Sequence, residues 1–295
     1  MARDLPIERT DNTWSITHDS QLQAYASWKP LPWDSDVLGF PCGVIDGLWA
    51  SGSYLEQSNR LCAVLSACVT DAEQHGIRLL SLRLSENELA ALHVAEAVGF
   101  RVIESYLTFR REVDTELPAQ DLRVRPARSD DVEIVADLAG RCLQSYRFFV
   151  DPLIPETRAR HSRREWVRNA FAGRAEAIYV AERSGSIAGF VLLKSKSGVT
   201  GLKALPAKEN RDKIGVIDLI AVDSKYEGLG IGKGLVTQAI RHYHGTASAV
   251  EVGTQGKNTR AIGLYTRMGF FLVGSEFSLH KHTELTSPFG RSSNE

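Results

Sequence analysis

Apolar residues fill GVIDLIAV (215–222) except for one aspartate, and the run reads as a β-strand. The stretch KYEGLGIGKGLV then interrupts the pattern with Gly228, Gly230, Gly232 and Gly234 at alternate positions. LVTQAIRHYH continues as a helix and AVEVGTQ as another strand. Beyond it, Ala261, Leu264, Tyr265 and Met268 recur at helical spacing, with Gly269 as the stop signal. Upstream, LRVRPA predicts a strand, and Ser129, Asp130 and Asp131 cap a helix that runs to about Leu143. A helix from about Glu156 to Phe171 follows. AIYVAERSGSIAGFVLL then reads as a hairpin around a Ser-Gly turn. The Lys-rich SKSGVTGLKALPAKENRDKI is a long loop, and the tail from Thr286 is expected to be disordered.

The pattern occurs twice. SLRLSENELAALHVAEAVGFRVIESYLTF, shifted by 170 residues, falls on EVGTQGKNTRAIGLYTRMGFFLVGSEFSL. Gly99-Phe100 meets Gly269-Phe270, Ser105 meets Ser275, Ala91 meets Ala261, and Leu107 meets Phe277. Both copies read as strand, helix, Gly-Phe turn, strand, which implies two halves of similar architecture. The first copy has Ala95 where the second has Tyr265, and no glycine cluster precedes its helix. It is expected to be a scaffold without the chemical parts. The polar DTELPAQD, residues 114 to 121, marks the joint. The expected division is a scaffold over 1–115, a catalytic domain over 120–285 and a disordered tail over 286–295.

Composition narrows the class of partner. The 295 residues are 43% hydrophobic, enough for a sizeable core and two domains. A formal net charge of −1 argues against nucleic acid as a partner. MARDLPIERT lacks the apolar segment of a signal peptide, and no run reaches the roughly 18 apolar residues of a membrane span. Cys42, Cys62, Cys68 and Cys142 are scattered, which fits buried reduced thiols in a cytoplasmic protein. His280 and His282 share a strand face, but two ligands without a third are a weak metal signal, and no metal is expected.

Four glycines between a strand and a helix suit a phosphate cradle. Backbone N–H groups and the positive end of the helix dipole converge there, and side chains would block an anion's approach. The spacing fits neither a P-loop, since Gly234 follows Lys233, nor the GxGxxG dinucleotide fingerprint. AVDSKYEGLGIGKGL resembles the acyl-CoA loop of the GNAT superfamily of N-acyltransferases, whose pattern is Arg/Gln-x-x-Gly-x-Gly/Ala. The second signature follows as Asn258-x-x-Ala261-x-x-x-Tyr265-x-x-x-Gly269-Phe270. One departure is Glu227, where Arg or Gln is usual.

The resemblance implies an α/β (α+β) fold, with a mixed, mostly antiparallel sheet flanked by helices and a degenerate GNAT-like N-terminal half. It implies acetyl-CoA as co-substrate, held by Ile220, Ala221, Val222, Gly228, Leu229, Gly230, Ile231, Gly232, Lys233, Gly234, Asn258 and Tyr265. Val222 N–H is the oxyanion donor and Tyr265 the general acid. Asn258 also reads as a helix cap. Asp218 is either a general base, with its pKa raised by burial and on the same face as Ile220 and Val222, or a structural hydrogen-bond acceptor.

LPWDSDVLGFPCG (31–43) and SYRFFVDPLIP (145–155) further resemble the two-domain acyltransferases that acetylate nucleotide-linked amino-deoxysugars, typified by the dTDP-fucosamine acetyltransferase family. The acceptor is then the primary amine of a dTDP-linked sugar. Tyr146, Arg147 and Asp151, with the basic face carrying Arg164 and Arg168, are the acceptor-binding candidates. An Arg-rich helix is also the ordinary signature of a solvated face. Other amines, a homodimer, and an acyl-CoA-binding sensor without activity stay open.

Overall fold

The computed structural model describes residues 6–113, 122, 124–197 and 213–283. The expected joint at 114–121, most of the Lys-rich loop and the expected tail lie outside the described residues. The chain forms two compact units, one of Met1–Ser105 with Glu276–Glu295 and the other of Tyr106–Ser275.

The first sequence half runs β1 (Glu8–Thr10), β2 (Thr13–His18), β3 (Gln21–Pro30), α1 (Pro32–Leu38), β4 (Cys42–Ala50), α2 (Tyr54–Gln74), β5 (Leu79–Ser85), α3 (Leu89–Ala97) and β6 (Arg101–Glu112). The second runs β7 (Val124–Pro126), α4 (Val132–Cys142), α5 (Arg147–Val150), α6 (Glu156–Asn169), β8 (Ala177–Arg183), β9 (Ser186–Ser197), β10 (Lys213–Val222), α7 (Ile231–Tyr243), β11 (Ala249–Gln255), α8 (Thr259–Arg267) and β12 (Phe271–His282). The expected 170-residue shift carries β5 onto β11, α3 onto α8 and β6 onto β12 with the same bounds at both ends. Even the helix exits coincide: Phe100 N–H returns to Ala95 O at 2.9 Å, and Phe270 N–H to Tyr265 O at 3.0 Å.

Each unit takes its last strand from the other repeat. In the first unit the order is β1-β2-β3-β4-β5-β12, with Glu276–His282 antiparallel to Ser85–Leu79. In the second it is β7-β8-β9-β10-β11-β6, with Tyr106–Glu112 antiparallel to Gln255–Ala249. The compact units therefore depart from the expected boundary at 115–120. A strand's own pattern of apolar residues sets which face it buries and leaves open which neighbour it pairs with. In both units all pairing is antiparallel except one parallel junction, β4–β5 or β10–β11, spanned by α2 or α7. The α/β expectation with a mixed, mostly antiparallel sheet holds.

The first unit packs one face of its sheet on α2 and α3 through a core of Trp14, Ile16, Trp28, Leu65, Leu80 and Phe100. The second covers both faces. Leu235, Ile240, Tyr243 and Tyr265 of α7 and α8 pack on one side, with Phe109 and Val252 from the sheet. Val135, Leu138 and Val167 of α4 and α6 pack on the other, with Phe190 and Leu219. Those extra helices occupy the stretch between β7 and β8, where the first repeat has only a tight turn. No helix among the described residues is long and apolar enough to cross a membrane.

Tyr243 lies against β10 where that strand offers Gly215, and its hydroxyl donates to Lys194 O at 2.5 Å. A Cβ on Gly215 would come within 2.3 Å of the Tyr243 ring. Replacing Gly215 with Ala is expected to cost about 1–3 kcal/mol of stability, as overpacking does. Urea unfolding of the two proteins checks this, and an unchanged midpoint would contradict it.

Candidate active site

The geometry begins at an irregularity in β10. Its register against β9 runs Ile217↔Leu193 and then Leu219↔Leu192, so Asp218 is an extra residue, a β-bulge. The bulge breaks the two-residue alternation. Ile217 packs under α7, whereas Asp218 and Leu219 both turn toward α6. Ile220 and Val222 return to the α7 side and Ala221 to the α4–α6 side. Asp218 is therefore on the opposite face from Ile220 and Val222, not on theirs as strict alternation predicted.

Three donors converge on its carboxylate. Trp166 Nε1 donates to Oδ2 at 2.9 Å, Arg174 Nη2 lies 2.8 Å from the same oxygen, and Lys194 Nζ lies 2.5 Å from Oδ1. Burial alone would raise the pKa, but Lys194, Arg174 and the indole N–H outweigh it and hold the carboxyl below its ordinary value of 3.8. The expected rise is overturned, and the hydrogen-bond-acceptor reading fits the site.

Past the bulge, β10 leaves β11. The parallel pairing covers only Ile214–Ile217 with Ala249–Val252, while the antiparallel pairing with β9 continues to Val222. Asp223 N–H donates to Ala188 O at 2.9 Å, so alternation turns Ala221 N–H toward β9 as well. Ile220 and Val222 N–H then face the opening between β10 and β11. Of the three expected main-chain donors, Ala221 is the one that faces away.

The glycine turn sits at the end of this strand. Asp223 Oδ1 accepts from Lys225 N–H at 3.0 Å and starts a short 3₁₀ turn over Ser224–Tyr226. Gly228 (φ 77°) and Gly230 (φ 79°) adopt left-handed backbone, and a Cβ on either would meet nothing within 4 Å. Gly230 is the N-cap of α7 without any side-chain cap, so the first-turn N–H groups of that helix stay open to an anion. Gly232 and Gly234 serve packing instead: a Cβ would come 3.2 Å from Leu264 Cδ2 and 3.1 Å from Leu122 Cβ, respectively. Leu229 and Lys233 are exposed, and Ile231 is buried in the core beneath the turn. Glu227 pairs with Arg260 of α8, which neutralises its charge beside the turn. These features fit the pyrophosphate of an acyl-CoA.

Tyr265 is buried on α8 between Phe109 and Phe270, with ring centroids 6.1 and 5.9 Å away. Burial pushes its phenol well above the ordinary range, and the Tyr106 phenol adds to the shift. Asn258 caps α8 as expected, accepting from Ala261 N–H at 3.2 Å. Its amide donates to Thr254 Oγ1 at 3.1 Å, so the side chain is engaged at both ends, and a contact with pantetheine would fall to the main chain.

The acceptor candidates divide. Arg164 pairs with Asp137 at 3.0 Å, and Arg168 with Glu133 at 2.6 Å and with Glu165. The basic face of α6 is therefore a zipper onto α4, which corrects its reading as a phosphate clamp. Glu133 and Asp137, four residues apart on the preceding helix, were the missed signal. Tyr146 is buried, with its hydroxyl donating to Ala159 O at 2.5 Å, and so it builds the α5–α6 core rather than a sugar pocket. Asp151 is buried and accepts from Leu153 N–H at 3.0 Å. The Arg147 guanidinium stacks on the Phe148 ring at 4.5 Å.

Known proteins match this architecture. The model of the Acetyltransferase (GNAT) family matches residues 143–270. The spore coat polysaccharide biosynthesis protein SpsD of Bacillus subtilis (strain 168) is 33% identical over 273 residues, covering 90% of this chain and 86% of SpsD. Among solved structures, a GCN5-related N-acetyltransferase from Sphaerobacter thermophilus aligns with a TM-score of 0.59 at 16% identity, over 92% of this chain and 80% of its own. A tandem GNAT protein from the clavulanic acid biosynthesis pathway aligns with a TM-score of 0.55 at 14% identity, over 93% and 83%.

Two outcomes are expected. Gly230→Val, which forces a branched side chain into left-handed backbone over the open helix end, should weaken acetyl-CoA binding by about tenfold or more, roughly 1.4 kcal/mol, by calorimetry. Unchanged affinity would remove the turn from the site. Asp218→Asn should cost about 2 kcal/mol at neutral pH by leaving Lys194 and Arg174 without their carboxylate. Because the folded pKa is depressed, that difference is present above the unfolded value and should close as pH falls through the lower folded one. Urea unfolding at pH 7 and pH 3 reads it, and an equal gap at both would contradict the assignment.

Proposed function

The chain belongs to the GNAT acetyltransferase family and is an acetyl-CoA-dependent N-acetyltransferase, and on that premise we propose that its acceptor is the primary amine of a nucleotide-linked (dTDP) amino-deoxysugar. The observation that carries the transferase chemistry is the divergence of β10 from β11 directly before an open, left-handed glycine turn. The sugar class is supported by the likeness to SpsD, a polysaccharide biosynthesis protein, along nearly the whole of both chains. The basic face of α6 does not contribute, since Arg164 and Arg168 pair with Asp137 and Glu133 of α4.

Bound acetyl-CoA supplies an activated acetyl thioester. The main chain at Gly228–Gly230 and the first turn of α7 hold its pyrophosphate through N–H groups and the helix dipole. Val222 N–H, turned into the opening and preorganised by the β9 ladder, faces the oxygen on which negative charge builds. Tyr265 stays protonated through the physiological range because burial disfavours its phenolate. A phenol with a raised pKa gives up its proton reluctantly to a thiolate, whose ordinary pKa is about 8.5. Tyr265 therefore acts mainly by donating a hydrogen bond to the departing sulfur. As the C–N bond forms and the C–S bond breaks, the proton given up by the amine ends on that sulfur as the CoA thiol.

Free CoA thiol is measured with acetyl-CoA and a panel of dTDP-linked amino sugars, the free amino sugars, aminoglycosides and Lys-containing peptides. Release with the dTDP-linked sugars alone is expected. Release with another amine alone would discard the acceptor and keep the chemistry. Silence with acetyl-CoA bound would favour a sensor. On the active substrate, Tyr265→Phe should lower kcat by about 10²-fold while the acetyl-CoA KM changes little. Asp218→Asn should retain most of the rate in the folded fraction; complete loss there would return Asp218 to the chemistry.

A further inference from the structure

Tyr106 belongs to the first sequence repeat, yet it opens the part of β6 that closes the second unit's sheet. Its register partner on β11 is Gln255, and Thr108 stands opposite Gly253. Leu107 and Phe109 point into the core under α7. Strand alternation therefore puts Tyr106 and Thr108 on the other face, with Gly253 and Gln255.

The tyrosine leans diagonally across the strand pair. A Cβ on Gly253 would lie 1.7 Å from Tyr106 Oη and 2.2 Å from Cζ, so the phenol end rests on the Gly253 backbone. Gly253 is the residue of β11 immediately past its last pairing with β10, Ile217↔Val252. The hydroxyl thus stands where the two strands part. Ser145 Oγ donates to Gln255 Oε1 at 3.1 Å and ties the α4–α5 connection to the same strand end. Tyr265, across the sheet, lies within electrostatic reach of the Tyr106 phenol.

We propose that Tyr106 is an acceptor-binding residue, whose hydroxyl hydrogen-bonds the incoming amine or a hydroxyl next to it at the opening between β10 and β11. This rests on the acetyltransferase reading of that opening. The N-terminal repeat then supplies a working side chain to the catalytic unit and is more than a scaffold. Gln255 and Ser145 place uncharged polar groups at the same strand end, which suits a hydroxylated amine. A structural role alone, in which the ring covers a glycine across the strand pair, would act on stability and not on the acceptor KM.

Tyr106→Phe separates the two, since it keeps the ring and removes the hydroxyl. The full-length variant is assayed at saturating acetyl-CoA with a dTDP-linked amino sugar varied. The KM for the sugar should rise about tenfold, as expected for one lost hydrogen bond to substrate. The acetyl-CoA KM should stay unchanged, and a lowered thermal midpoint with an unchanged sugar KM would mark a structural role and overturn the proposal. Gly253→Ala places a methyl where the hydroxyl rests and should raise the sugar KM in the same way. In Tyr106→Ala the added Gly253→Ala should bring no further loss. An unchanged sugar KM in Tyr106→Phe overturns the proposal, as does an equal rise in the acetyl-CoA KM. If the wild type acetylates a different amine of the panel, the same ratio is read with that amine, so the sugar assignment falls and Tyr106 is judged on its own. A wild type silent with every amine overturns both.

Discussion

The Asp218 carboxylate sits at the extra residue of β10 and is bound by Trp166, Arg174 and Lys194. A buried carboxylate without such partners would pay several kcal/mol in lost hydration. With them, the carboxylate is seated at the bulge in its charged form. The bulge also changes the facing of every later residue. Leu219 and Ala221 go to the α4–α6 core, and Ile220 and Val222 to the α7 core. The ladder to β11 ends one residue before it, at Ile217↔Val252, while the ladder to β9 runs on. The freed N–H groups follow from that irregularity, and the glycine turn comes directly after them.

The first unit repeats the bulge without the open glycine turn. GVID occurs at 43–46 as at 215–218, and β4 has its own register shift against β3 at the matching aspartate, Asp46. Ser27 and Lys29 hold that carboxylate at 2.9 and 3.2 Å. The parallel pairing with β5 likewise stops early, at Val44↔Ser81. Past that point the units differ. The N-terminus of α2 is closed by a capping box, in which Glu56 Oε2 accepts from Ser53 N–H at 2.8 Å. An internal carboxylate thus occupies the position that the second unit leaves open for an anion. Ala95 fills the helical position of Tyr265.

Much of this was legible in the chain because it rests on local pattern. The 170-residue shift located two strands and a helix in each copy, and the spacing of Ala261, Leu264, Tyr265 and Met268 placed α8. The glycine turn was readable because positive φ and close approach both demand the same residue. What escaped depends on partners distant in sequence. Asp218 was assigned the wrong face because a bulge adds one residue without any mark in the apolar pattern. Arg164 and Arg168 read as free donors because their carboxylates, Asp137 and Glu133, lie on another helix. The exchange of β6 and β12 was invisible for a stronger reason. The two strands have the same length and follow the same helix and Gly-Phe turn, and what pairs β6 with β11, such as Arg110 with Glu251, lies far away in sequence.

That exchange has a consequence for how the two phenols divide their work in the proposed reaction. Tyr265 comes from the second repeat and is enclosed by Phe109 and Phe270, an environment that keeps it neutral and reluctant to ionise. Tyr106 comes from the first repeat, stands half-buried on the opposite face, and reaches toward the same point only because Gly253 has no side chain to stop it. One phenol is placed for a leaving group that arrives from the α7 side, the other for a nucleophile that arrives from the α4–α6 side. The Tyr106 phenol adds to the rise of the Tyr265 pKa, so Tyr265 serves the leaving group as a neutral donor. The Tyr106 oxygen can accept from an amine N–H and leave the attacking lone pair free. A single repeat, folded back on its own last strand, would bring the Tyr265 side of that arrangement and not the other.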